Sequence, residues 1–198
     1  MAHDNAGSIV QDWTSVNDTV IVHSTEIDTS GDYETDLQIQ AGLGSLSDPH
    51  TGTRFIVQIS SLASGDEDWA EHSSFVDLIG TSADITLTTA ALAAATNIID
   101  TDNNVPSTGS WMLILDGDTN DDNEMVFVTK INVGSFDILD GLTNGHEIDD
   151  EVSSIAFSRN IKIRGTNILR ARLVVDNNYD AGGAQIQFKL AKTITTSL

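Results

Sequence analysis

The chain contains no cysteine, which excludes disulfide bonds, thiol nucleophiles and cysteine-ligated zinc sites. Basic residues are also scarce: nine Lys and Arg stand against thirty Asp and Glu, for a formal net charge of −21. Because affinity for phosphates comes from Lys and Arg, this balance argues against a nucleic acid partner. No stretch approaches the roughly 20 apolar residues of a membrane-spanning helix, which argues against a membrane partner.

Motifs that carry catalytic or cofactor chemistry are missing as well. The sequence has no H-E-x-x-H, G-x-S-x-G, Walker A or G-x-G-x-x-G pattern. Its five histidines form no closely spaced ligand pair. We therefore predict no catalytic residue and no bound cofactor, and an enzyme is the least favoured class of function.

Short, β-branched and partly alternating segments are abundant, and clusters of Gly, Asn, Asp and Ser separate them. These segments lie at 18–24, 36–42, 53–60, 74–80, 83–89, 111–116, 124–131, 135–140, 160–165, 168–175 and 184–191. An alanine-rich run within 86–99 has the composition for a turn or two of helix. The pattern predicts an all-β protein with at most one short helix.

The middle of the chain has a compact series of strand and turn patterns that indicates a separate unit. Residues 84–157 resemble a small β-barrel module that recurs in bacteriophage virion proteins. The matching positions are Gly109, Glu124, Gly134, Gly141, Gly145, His146 and Val152. The sequence departs from the module where Asp140 replaces the usual Arg and Asp150 the usual Gly, and its acidic turn is longer. The resemblance implies an inserted barrel at 84–157, with a structural hydrogen bond at His146.

The flanks read as one further unit once the insert is set aside. Residues 158–198 resemble the closing strands of many phage head and tail structural proteins. Residues 1–83 have the pattern of the first half of a β-sandwich. We therefore predict a discontinuous β-sandwich of jelly-roll or Ig-like type, 1–83 plus 158–198, that carries the barrel in a surface loop.

An acidic turn follows the segment at 111–116, and it allows two interpretations. Asp116, Asp118 and Asn120 occupy the first, third and fifth positions of a D-x-D-x-[DN] calcium pattern, but Asp121 and Phe127 stand where Gly and Glu are required. The favoured interpretation is an acidic hairpin turn without metal. The alternative is a weak calcium or magnesium site with the ligands Asp116, Asp118, Asn120, Asp122 and Glu124.

Charge is distributed unevenly along the chain. Residues 1–158 hold two basic and 28 acidic residues, a net of −26, whereas residues 159–198 hold seven basic and two acidic residues, a net of +5. Either the basic strands lie beside acidic strands of the same chain, or they form a docking face for an acidic partner. The residues of that predicted face are Arg159, Lys162, Arg164, Arg170 and Arg172.

Within the predicted sandwich unit, the N-terminal segment around Trp13 is interpreted as an arm. This arm either pairs with a neighbouring subunit or covers an edge of its own sheet.

The resemblance implies a non-enzymatic virion structural protein of a tailed bacteriophage. The favoured role is a capsid decoration or cement protein on the head surface, trimeric, with the major capsid protein or other virion proteins as partners. Two alternatives remain open: a tail, baseplate or head-fibre component that contacts the host, and a calcium-dependent carbohydrate-binding module or adhesin.

Overall fold

The computed structural model describes residues 3–17, 20–44, 50–65, 68–82, 85–99, 107–116, 122–165, 167–177 and 185–197. The strands in these ranges are β1 His3–Val16, β2 Ile21–His23, β3 Ile27–Asp28, β4 Glu34–Leu43, β5 Thr53–Ser60, β6 Ala70–Asp77, β7 Asn97–Ile99, β8 Trp111–Leu115, β9 Glu124–Asn132, β10 Ser135–Ile138, β11 Glu151–Arg164, β12 Arg170–Asp176 and β13 Ile186–Ser197. The described ranges contain no α-helix, so none there is long and apolar enough to cross a membrane. The prediction of an all-β protein is confirmed.

The strands form two antiparallel sheets that face each other as a sandwich-like arrangement. The larger sheet has eight strands in the order β1-β13-β4-β11-β8-β9-β10-β7. The smaller has five, in the order β2-β12-β5-β6 with β3 also beside β12. The long strand β11 pairs with β4 through residues 156–164 and with β8 through residues 151–156. One strand therefore joins the two halves of the larger sheet.

Buried apolar side chains form two large clusters. The first lies between the sheets and includes Phe55 and Phe157, whose ring centroids are 5.1 Å apart and meet edge to face. The second is drawn from residues 85–152 alone and includes Phe136. Fully burying a phenylalanine stabilises a fold by roughly 1.5–3 kcal/mol relative to leaving it exposed. The two flanks of the chain therefore share one apolar cluster, and the middle segment has another.

The two clusters bear on the predicted units 1–83 plus 158–198 and 84–157. The first cluster draws its buried members from residues 16–78 and 157–190, close to the predicted sandwich. The boundary at 157–158, however, falls inside β11, which carries Val152 in the second cluster and Ile163 in the first. The division into a sandwich and an inserted barrel stays a prediction.

Each predicted strand segment overlaps an observed strand, with one exception. Residues 53–60 coincide with β5, whereas 83–89 carry only an isolated bridge at Thr86 among the described residues. The alanine-rich run is not helical. Ala91 N–H and C=O both bond to His146, and Ala94, at a φ of 67°, donates its N–H to Leu142 C=O. These pairings outweigh the helix propensity of alanine, which is worth only tenths of a kcal/mol per residue.

The N-terminal arm covers an edge of its own sheet. It forms β1, which pairs antiparallel with β13 from His3 opposite Ser197 to Val16 opposite Ile186. Trp13 then packs in a third small cluster with Leu113 and Leu115 of β8. The arm therefore contacts the part of the chain that was predicted to be the insert.

Candidate functional sites

Three of the five predicted metal ligands, Asp116, Asp122 and Glu124, lie within the described residues that follow β8. Asp118 and Asn120 lie outside the described residues. At the start of the turn, Asp116 N–H donates to Asn123 Oδ1 at 2.8 Å. Within the part of the chain that the structure describes, no three acidic, histidine or cysteine side chains are grouped to hold a metal ion. The metal site stays a prediction.

Glu124, the last of the predicted ligands, is engaged elsewhere. Its carboxylate accepts hydrogen bonds from Thr143 N–H at 2.6 Å and from Asn144 N–H at 3.1 Å. It therefore caps the turn at 141–146, and binding a cation would require it to give up these bonds.

The imidazole of His146 is fully buried between two carboxylates. Its Nδ1 lies 3.3 Å from Asp150 Oδ2. Its Nε2 lies 3.5 Å from Glu124 Oε2, an ion-pair distance without hydrogen-bond geometry. Both nitrogens of an imidazolium carry protons, so the charged form of His146 is the one that matches carboxylates on both sides. The structural hydrogen bond that the resemblance implied for His146 is made by Asp150.

Electrostatics favour the charged form of this group. Burial alone would lower the pKa of His146, but the Glu124 and Asp150 carboxylates outweigh it and hold the pKa above its ordinary value. Burial would likewise raise the pKa of Glu124, but His146 and the Thr143 and Asn144 N–H groups hold it below its ordinary value. The three side chains thus form a charged clasp, named here the His146 clasp.

The His146 clasp joins three segments of the chain. Glu124 begins β9, Asp150 accepts Glu147 N–H at 3.0 Å, and the His146 backbone pairs with Ala91 at 2.7 and 2.9 Å. Sequence reasoning treated Glu124 as a metal ligand and Asp150 as a departure from the module. The spacing of His146 and Asp150, four residues apart across a turn, was the available signal for their contact.

The five predicted docking residues do not share one face of the molecule. Ile161 and Ile163 belong to the core between the sheets, so Lys162 and Arg164 point to the outer side of the larger sheet. Leu173 belongs to the same core, so Arg170 and Arg172 point to the outer side of the smaller sheet. These two sides lie on opposite faces of the sandwich.

Each predicted docking residue also has partners within its own chain. Lys162 Nζ lies 2.7 Å from Glu34 and 3.0 Å from Asp36, and Arg164 pairs with Glu34 as well. The Arg159 guanidinium lies 4.0 Å from the centre of the Phe75 ring and 3.4 Å from Asp77. The basic strand β11 therefore lies beside an acidic strand of the same chain, β4. Docking of a partner on these residues stays a prediction.

Arg170 is the most buried of the five, with a side chain that is 9% exposed. It donates to the backbone carbonyls of Leu62 at 2.8 Å and Gly65 at 2.6 Å, and it pairs with Glu26 at 2.7 Å. The Trp69 ring lies against both Arg170 and Arg172, at 4.7 and 4.1 Å from their guanidinium carbons. Arg170 therefore fastens the loop segment Leu62–Gly65 to β12.

Comparison with known proteins yields no family. No protein-family model and no curated protein matches the chain. Among solved structures, it is similar to VP17, a capsid protein of bacteriophage P23-77, at 10% identity and a TM-score of 0.22 over 100% of this chain and 98% of that one. It is also similar to the VP2 subviral particle of infectious bursal disease virus, at 10% identity and a TM-score of 0.26 over 98% of this chain and 42% of that one. Both TM-scores are too low to establish a shared fold, so these similarities carry no argument.

Proposed function

We propose that this protein is a non-enzymatic structural protein of a tailed-bacteriophage virion, bound to the outside of the head as a decoration or cement protein. The observation that carries the proposal is the contact between Glu124 and His146. Both are positions at which the sequence resembles the phage virion module, and they meet across the turn that closes this part of the fold. Two of the matching positions therefore lie in one cluster, and the resemblance is the link to the virion.

A cement protein of this kind acts through contact area and needs no chemistry. Interfaces of standard size bury roughly 1,200–2,000 Å² in total, and many copies bridging neighbouring capsid subunits multiply the interface free energy. Binding to the assembled capsid alone would stabilise that state by mass action. The partner is the major capsid protein or another protein of the head.

The outer side of the larger sheet is the docking face that we favour. Lys162 and Arg164 have side chains that are 54% and 67% exposed. The basic ends of their ion pairs reach solvent, where such pairs are worth about 0–1 kcal/mol, while the shared partner Glu34 is 12% exposed. Lys162 and Arg164 are therefore accessible to an acidic capsid surface, whereas Arg170 is held inside its own chain.

Co-sedimentation with purified phage heads that lack the protein tests the proposal. The wild-type chain is expected to bind, and the double variant Lys162→Glu/Arg164→Glu to bind at least tenfold more weakly. Lys130→Glu, the same charge reversal on exposed β9, is the matched control and should bind as wild type. Binding of the double variant that equals binding of the wild-type chain would show that Lys162 and Arg164 do not form the docking face. A wild-type chain that does not bind heads would overturn the head role.

A further inference from the structure

Three of the four sheet edges are short or interrupted. β2 and β7, which end the smaller and the larger sheet, have three residues each. β6 ends the other side of the smaller sheet, and its pairing with β5 shifts register between Val57 and Gln58. Short strands and bulges are ways in which proteins protect an edge from pairing with another chain.

β1 is the exception. It is fourteen residues long and contains no Lys, Arg or Pro. Its first half, His3–Ile9, pairs with Ser197–Ala191 residue for residue, and the register shifts begin only after Ile9. Among the described residues, β13 is the only strand that pairs with β1. In the described part of the chain, no strand therefore pairs with the regular segment His3–Ile9 on the side away from β13.

At the end of this half, the described residues Gly7, Ser8 and Ile9 leave room for an approaching strand. Gly7 and Ser8 are small and exposed, and the apolar side chain of Ile9 is 57% exposed. A β-strand added to such an edge gains affinity from main-chain hydrogen bonds.

Charge indicates which partner fits this edge. β1 and β13 together contain Asp4, Asp12, Lys189 and Lys192 as their charged Asp, Glu, Lys and Arg residues, a sum of zero over 26 residues. The other 172 residues carry the whole net charge of −21. At physiological ionic strength charges act over about 8 Å, so the local balance decides repulsion at a contact. The two strands at this edge therefore add no net charge that would oppose the approach of a second copy.

We propose that β1 is a self-association edge, in which the His3–Ile9 segments of two copies pair antiparallel across a two-fold axis. The two eight-stranded sheets then form one continuous sheet of sixteen strands. With the axis beside Ala6, Asp4 of one copy is in register with Ser8 of the other and not with the second Asp4. A two-fold contact of this type is closed and yields a dimer. The inference goes beyond the proposed function and does not depend on it.

Sedimentation velocity over a range of concentrations tests the oligomer. The wild-type chain is expected to be a dimer, and Ile9→Lys to weaken dimerisation at least tenfold, because a lysine on an edge strand opposes pairing. Val133→Lys is the matched control, since Val133 is 98% exposed at the turn between β9 and β10. It should dimerise as wild type. A wild-type monomer, a trimer, or a dimer that Ile9→Lys leaves unchanged would overturn the proposal.

Disulfide trapping tests the register and remains informative if Ile9→Lys fails to fold. The chain has no cysteine, so single-cysteine variants at Ala6, Gly7 and Ser8 report contact between copies directly. A residue on the two-fold axis faces its own copy, so one of the three should form a covalent dimer under mild oxidation. Val133→Cys should not. Absence of a covalent dimer at all three positions would contradict the β1 contact.

Discussion

Leu113 of β8 lies directly over Gly42 of β4. A Cβ atom on Gly42 would come within 2.9 Å of both Cβ and Cδ2 of Leu113, and within 3.2 Å of Ala156 Cβ. β4 and β8 are both neighbours of β11, and here they approach each other across it. The absence of a side chain at Gly42 is thus what allows the two halves of the larger sheet to close together.

Gly42→Ala should therefore lower the free energy of unfolding. The added methyl group would overlap the Cβ of Leu113, which cannot move without its strand, and overpacking of this kind costs about 1–3 kcal/mol. Urea denaturation measures the change. Gly145→Ala is the control, because its nearest neighbour would be 3.7 Å away. Equal effects of the two substitutions would refute the close approach at Gly42.

Replacing His146 by glutamine should destabilise the protein by about 2 kcal/mol at pH 6. Glutamine is of similar size but neutral, so the Glu124 and Asp150 carboxylates would lose their shared cation in a buried setting. Urea denaturation again gives the value, and His72→Gln, at an exposed histidine, should change it by less than about 0.5 kcal/mol. No loss at His146 would show that the clasp contributes nothing to stability.

The contribution of the His146 clasp should depend on pH with a maximum between pH 4.5 and 6.5. The folded pKa of His146 is raised above 6.5, so its contribution is complete below 6.5 and is lost as the pH rises through the folded value. The folded pKa of Glu124 is lowered below 4.5, so its contribution is complete above 4.5 and is lost as the pH falls through the folded value.

The quantity to measure is the difference in unfolding free energy between wild type and His146→Gln from pH 3 to 10. Groups elsewhere in the chain cancel in this difference. A difference that stayed constant, or that grew above pH 8, would contradict the charged clasp.

Arg170→Met should cost about 2–3 kcal/mol, clearly more than Arg172→Met. The first substitution leaves the Leu62 and Gly65 carbonyls without the guanidinium that binds them, whereas Arg172 loses a bond to Gln58 and a stacking contact with Trp69. Thermal unfolding of both variants provides the comparison. If Arg172→Met is the more harmful change, then Arg170 does not fasten the loop.

The acidic turn should hold no tightly bound metal. Glu124 is committed to the Thr143 and Asn144 N–H groups and to His146, so one of the five predicted ligands is already engaged. Native mass spectrometry with and without EDTA is expected to show the same metal-free mass. A calcium adduct that EDTA removes would restore the site, and Asp116, Asp118 and Asn120 would be the first residues to substitute.

Period-two patterns predicted the strands well, because alternation records which face of a strand is buried. The segment at 53–60 coincides with β5, and Ile186, Phe188 and Leu190 of β13 all enter the core. The alternation pattern does not indicate which strands pair when they are distant in sequence. The order of the sheet sends Lys162 and Arg172 to opposite faces, although both belong to one basic segment.

The contact between Glu124 and His146 could not be predicted either, because it depends on how distant segments pack together. Glu124 is 22 residues from His146 in the sequence, and only the fold of the 141–150 turn brings them together. The alanine-rich run at 86–99 shows the limit of local propensity, since backbone pairing with residues 142–146 replaced the expected helix.

The most direct test of the central claim is to purify virions of the phage that encodes the chain, separate heads from tails, and count copies of the protein in each fraction by quantitative mass spectrometry. A head decoration protein should be present in many copies per virion, all of them with the heads. Absence from the virion, or recovery with the tails alone, would contradict that role.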